Sequence, residues 1–260
     1  MAFLTVGICF AVFISQQEAT VPRSPRIVQA EEQLVQPRPQ EKRPDRRVQT
    51  IRQFASEGFH QQTFPFALVV NAVSGKNVLP LDLQNPIHQE VKEEIVKACD
   101  EVRRHLSAED SPVRALTRIN EASRYFEDAL ITELSARPSL NCSVPQTAEG
   151  QLQRSGYPDL LLQHIASGTY FYLDPKLIRE GSQESSLRSF YYTPRQKTSK
   201  IRFDAVHLVL GIEHDGAVGE WQFTQTRLGD LSDLDLQLKT EFHASNRDLY
   251  KEEDSAHPQN

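Results

Sequence analysis

Cysteine is scarce in this chain, with three in 260 residues at positions 9, 99 and 142. Their spacing matches no zinc site, and with Cys9 inside an apolar N-terminal stretch only Cys99 and Cys142 remain to pair. Cys99 falls on the apolar stripe Val91, Ile95, Ala98, Val102 and Leu106 of an expected helix. A buried thiol and a disulfide are equally open for it. Also lacking are a Gly-x-Ser-x-Gly elbow, a phosphate-cradling glycine loop and a dinucleotide fingerprint, and Gly75-Lys76 has no upstream glycine to make a P-loop. Asp230, Asp233 and Asp235 lack the ligand order and central glycine of an EF-hand, which leaves a capped, solvated turn as their account.

Apolar residues make up 38% of the chain, which is low for a polypeptide folded from end to end, so part of it lies outside any core. The formal charge of -6 argues against a protein that coats nucleic acid non-specifically. Ala2 to Ile14 run almost wholly apolar but are too short to span a bilayer comfortably. Residues 1–20 fit an export signal or an N-terminal anchor, although no basic residue precedes the apolar run and a misplaced start codon would also explain it. An export signal places the mature chain in the periplasm or outside the cell; without one it is cytoplasmic. Residues 21–50 carry five prolines and seven basic against four acidic residues, and are expected to be a flexible linker. Residues 51–250 are then a single folded domain, and 251–260 a short disordered tail.

Within the folded part, Phe64 to Val73 is an apolar run that reads as a strand or as a buried loop. Asn85-Pro86 is a cap followed by proline at the first helical position, and the apolar stripe carries a helix to about Leu106. Ser111-Pro112 repeats the device, and a second helix is expected to run to about Ala136, before Pro138. The pattern then changes to strands at Asp159 to His164, Gly168 to Ile178, Leu187 to Tyr192 and Ala205 to Glu213. Helices followed by mostly antiparallel strands make an α+β layout. Ser167-Gly168 reads as the turn of a hairpin between the first two strands.

That hairpin brings chemistry together. Asp159 opens one strand and Asp174 lies in the next, so the two carboxylates meet at one end of the ladder. Lys176, two residues beyond Asp174, points to the same face. Two converging carboxylates suit Mg²⁺, which needs few protein ligands. An adjacent ammonium can orient an attacking water while the metal neutralises charge on a phosphodiester.

Tyr157-Pro158-Asp159 followed by Leu173-Asp174-Pro175-Lys176 resembles the PD-(D/E)xK signature of the restriction-endonuclease-like superfamily. The preceding amphipathic helix, the stretch Ser186 to Tyr192 and Thr240 to Asp248 are similar to bacterial members, so the resemblance covers about residues 115–250. It implies a restriction-endonuclease-like core, with a mixed central sheet flanked by helices and a helical N-terminal part. It also implies a DNA endonuclease using Mg²⁺ or Mn²⁺. Asp159, Asp174 and the backbone carbonyl of Pro175 would ligate the metal, Lys176 would position the water, and Glu127 would be a third carboxylate from the preceding helix. Pro175 departs from a regular central strand, because it lacks an N–H and suggests a bulge or an unpaired position.

Arg188, Arg195, Lys197, Lys200 and Arg202 follow the motif and are candidates to grip phosphates, or simply a solvated loop. His207 and His214 read as core or edge histidines. Two other accounts stay open. Asp159, Asp174 and Lys176 could be a surface ion-pair cluster at a hairpin end, and an exported chain could use a nuclease-like fold to bind a nucleic acid or protein without turnover. Export and restriction pull against each other, since restriction is done inside the cell. Cleavage at a palindromic site would imply a homodimer.

Overall fold

In the computed structural model, which describes residues 45–182, 190–245 and 249, the chain enters on helix α1 (Arg46–Phe54). Asp45 caps it, its carboxylate accepting from the Arg47 N–H at 2.9 Å. The linker expected over 21–50 is therefore corrected at its end: Asp45 is a cap and 46–50 are helical. Residues 21–44, the apolar stretch from Ala2 and the tail from 251 lie outside the described residues. Helix α2 (Glu57–His60), strand β1 (Thr63–Pro65) and helix α3 (Phe66–Ser74) follow, so the apolar run from Phe64 is a short strand leading into a helix. Helix α3 stops at Gly75, whose φ of 68° supplies the left-handed turn that ends many helices.

After strand β2 (Val78–Leu79) comes helix α4 (Pro86–Leu106), started as its sequence dictates. The Asn85 side chain accepts from the Ile87 N–H at 3.0 Å, and Pro86 occupies the first turn. Val91, Ile95, Ala98, Cys99, Val102 and Leu106 are buried along its inner face, and both Cys99 and Cys142 are buried free thiols, which closes the disulfide alternative.

The second expected helix is corrected. Ser111 does cap, accepting from Val113, but it caps a single 3₁₀ turn, Pro112–Ala115. The chain becomes extended at Leu116, makes another 3₁₀ turn over Ile119–Ala122 and only then enters helix α5 (Ser123–Ser135). A tertiary bond accounts for the break: the Trp221 indole N–H donates to the Leu116 carbonyl at 2.8 Å, an acceptor that a continuous helix would use for itself.

Strands β3 (Leu140–Ser143), β4 (Leu160–His164), β5 (Tyr170–Arg179), β6 (Ala205–His214), β7 (Phe223–Asp230) and β8 (Asp235–Gln237) complete the chain. The main sheet runs β2-β6-β5-β4-β3, with β2 and β7 following one another along the same edge of β6. β1 and β8 form a separate antiparallel pair. The pairs β3–β4, β4–β5 and β6–β7 are antiparallel, whereas β5–β6 and β2–β6 are parallel. The sheet is thus mixed, and residues 180–204 are a crossover. Of the strand expected over Leu187–Tyr192, residues 187–189 lie outside the described residues and 190–192 are not strand.

Side chains of α4, α5 and one sheet face make the larger core, with Leu160, Leu162, Phe171, Leu173, Leu208 and Leu210 pointing into it. Phe66 and Val70 of α3 pack with Tyr157, Tyr172, Ile201 and Ala205 in a second core on the other face. This mixed α+β sheet flanked by helices is the arrangement expected of a restriction-endonuclease-like core.

Candidate active site

The β4–β5 ladder begins with Leu160 opposite Leu173, so the next residue out on each strand is a carboxylate, Asp159 and Asp174. Lys176 follows on the same face of β5. Its Nζ lies 3.5 Å from Asp159 Oδ2 and is ion-paired with Asp174 Oδ2. Asp174 is only 2% exposed, a depth at which a carboxylate is costly unless paired. Burial pushes its pKa up to about 7, with Asp159 adding to the rise and Lys176 opposing it.

Pro175 is buried in the strand, and the β5–β6 register continues past it without interruption, Pro175 lying opposite Leu210. Of the two alternatives expected there, the bulge is absent and the unpaired position is found; the register shift in this sheet falls between β6 and β7, at Ile212 to His214. Proline is tolerated because the β4 ladder has ended at Leu173, leaving that edge of β5 without a strand partner among the described residues. The Pro175 carbonyl faces Lys176, whose Nζ is 3.4 Å away.

Glu127 reaches the same region from α5. Burial, and then repulsion by Asp159, hold its carboxyl above the usual range. Arg154 occupies it meanwhile, with one guanidinium nitrogen 3.5 Å from Glu127 and the other 2.6 Å from Asp128. Arg154 comes from the polar loop just before Tyr157-Pro158-Asp159, and nothing in its spacing marks it as a partner of helix α5.

The basic residues after the motif separate. Arg188 lies outside the described residues. Arg195 and Lys197 are exposed, and Arg202 donates to Gln146 at 3.4 Å. Lys200 is different: at 1% exposure it is not on a solvated loop. Its Nζ donates to the Arg154 carbonyl at 3.4 Å. Burial pulls its pKa down while Asp159, Asp174 and Glu127 push it back up, which places its ammonium within electrostatic reach of all three acids.

Behind the carboxylates, Tyr157 and His207 share a 2.7 Å hydrogen bond in an aromatic cluster with Phe66, Phe190 and Tyr192. His207 is a fully buried core residue, and His214 accepts from the Gly216 N–H at 3.1 Å. Burial lowers the His207 pKa to about 3. Below pH 6.5 the unfolded chain therefore takes up a proton that the folded chain refuses, so this residue's share of stability is lost as pH falls from 6.5 toward 3. The slope approaches about 1.4 kcal/mol per pH unit. Urea unfolding of wild type and His207→Gln across that window checks it: the difference in stability between the two should shrink as pH falls, and parallel curves would refute the assignment.

The donor set fits a hard divalent cation in a limited way. Asp174 Oδ2 is ion-paired with Lys176 and the Asp159 carboxyl lies within hydrogen-bonding reach of Asp174, so two carboxylates converge where a cation would be held. No group of three acid, histidine or cysteine side chains among the described residues is close enough to hold a metal by itself. Mg²⁺ commonly takes one or two carboxylates and completes its shell with water, so two carboxylates and a carbonyl are sufficient.

A family model for the type II restriction enzyme MjaV matches residues 59–253. The chain belongs to the MjaV family of type II restriction enzymes. It is 29% identical over 198 residues to the type II restriction enzyme MjaV of Methanocaldococcus jannaschii, a match covering 72% of this chain and 85% of that protein. The MjaV-family span contains Glu127, Asp159, Asp174, Lys176 and Lys200, and leaves α1 outside it. It is a restriction-endonuclease-like nuclease family, as the motif at Asp159 and Asp174 implied. Among the described residues of this MjaV-family chain, no helix is long and apolar enough to cross a membrane.

Proposed function

We propose that this protein is a PD-(D/E)xK-type DNA endonuclease that hydrolyses phosphodiester bonds with Mg²⁺ or Mn²⁺ held at Asp159, Asp174 and the Pro175 carbonyl. The observation that carries the reading is the buried Asp174 carboxylate set against Asp159 and Lys176 at the end of one ladder. An exposed ion pair contributes little to stability, and burying two like charges together costs stability unless another cation is to arrive. Membership of a type II restriction enzyme family supports DNA as the substrate.

A divalent ion at this place would neutralise charge developing on the scissile phosphate. Lys176 orients the attacking water and holds it against the phosphorus, its ammonium shared between the two aspartates until substrate binds. Glu127 joins the acids when Arg154, which already holds Asp128, gives up its longer contact with Glu127 for a phosphate. Lys200 serves as an internal second cation, while exposed Lys197, with Arg188, meets the DNA backbone.

Incubating the full chain with plasmid and with single-stranded DNA should give cleavage with Mg²⁺ or Mn²⁺ and none in EDTA. A folded protein inert on both substrates with either metal would end the reading, and a binding module would take its place.

A further inference from the structure

Beside the carboxylates lies a cavity of about 250 Å³ between the loop 153–157 and the crossover segment 191–199. Its walls include the rings of Tyr157, Tyr191 and Tyr192, with Gln153 and Arg195 among the polar groups. The volume falls below the ~300–1,000 Å³ typical of drug-sized ligands, and suits one planar ring system. Tyr157 and Tyr192 stand edge to face at 5.7 Å, and Tyr157 is held from behind by His207 and Phe66, so this wall is rigid. A second observation points to a missing polar partner: the Tyr192 hydroxyl is buried and makes no hydrogen bond among the described residues. Buried hydroxyls are nearly always satisfied, and one that is not marks a place where a ligand or water belongs.

Position narrows the occupant. Tyr157, which lines the cavity, is two residues before Asp159 and lies close enough to feel the charges of Asp174 and Asp159, and Ser199 directly precedes Lys200, so the cavity adjoins the carboxylate centre. Gly156, with φ of 82°, turns the chain at the rim where a side chain would be strained.

We infer that this cavity receives a single nucleobase turned out of the duplex beside the cleaved phosphate, stacked on a tyrosine ring and read by Arg195 and by the amide oxygen of Gln153, whose amide nitrogen is held by Ser155. The inference rests on the proposed DNA cleavage. Aromatic rings supply stacking for any base, amide and guanidinium groups supply hydrogen bonds to its edge, and an enzyme that extrudes a base binds best where pairing is already broken.

The test starts by sequencing the ends of cleaved plasmid to locate the cut. Fluorescence anisotropy in Ca²⁺ then gives the affinity of the full chain for matched duplexes and for duplexes mispaired one position at a time around it. One mispair adjacent to the cut should bind about tenfold tighter than the matched duplex, because its unpairing is already done. Thr198→Trp, which fills the cavity, and Tyr191→Ala, which removes a stacking face, should each abolish that preference. If every mispair is neutral or weaker while the matched DNA is still cut, the base pocket is wrong and the nuclease reading stands. If no metal supports cleavage, both fall.

Discussion

Asp174→Asn is expected to slow DNA cleavage by about 10³-fold or more, roughly 4 kcal/mol in the barrier, while the metal-free protein keeps its stability or gains some. The two effects come from one cause. Asp174 is a buried carboxylate whose ionised form is disfavoured by its surroundings and by Asp159. Asparagine keeps the shape and removes the charge, so the folded chain loses an electrostatic burden, while Lys176 still has Asp159 at 3.5 Å. What disappears is the charge that draws a divalent cation. Cleavage rates with Mg²⁺, measured beside thermal unfolding in EDTA, separate the alternatives. A structural ion pair would show lost stability with cleavage changed less than tenfold, and that result would move the centre elsewhere.

Lys200→Met should split two properties that a packing residue would change together. Lys200 faces the same three acids that attract a divalent cation, so its removal should tighten Mn²⁺ binding by roughly three- to tenfold. The same change should slow cleavage by about ten- to a hundredfold, because a cation near the developing phosphate charge is gone. Methionine fills the buried volume without a charge, and folding should survive. Paramagnetic resonance of Mn²⁺ on the DNA-free protein reads the first effect independently of activity. Weaker Mn²⁺ binding together with slower cleavage would mean that Lys200 only props the loop bearing Arg154.

The parts of the molecule that were legible from sequence are those whose signals are local. The caps at Asn85 and Ser111, the helical stripe of α4, and the hairpin at Ser167-Gly168 with its flanking carboxylates all depend on residues a few positions apart. The elements that sequence reasoning missed depend on distant partners. The break at Leu116 requires Trp221, more than a hundred residues later. Strand β3 is recognisable only once β4 lies against it. The parallel pairing of β5 with β6 has no short-range signature, since no regular helix is described in the connection between them. For the candidate site, spacing was enough to bring Asp159, Asp174 and Lys176 together, and the stripe of α5 placed Glu127 on the side facing them, near enough to feel Asp159. Spacing could not show that Lys200 is interior or that Arg154 sits on Glu127, because both follow from how two loops cross.

The pairing of β1 with β8 joins residues 63–65 to 235–237, and β2 lies beside 205–206 of β6. During translation at about 5–20 residues per second, β1 therefore waits roughly 10–35 s for its partner to be made. The hairpin carrying Asp159 and Asp174 closes well before that, but β6, which flanks Asp174 and buries it, does not exist until residue 205 and beyond has been polymerised. A nascent chain still on the ribosome thus carries the acids without the wall behind them, and Asp174 acquires its buried surroundings only after the whole of the crossover has been made.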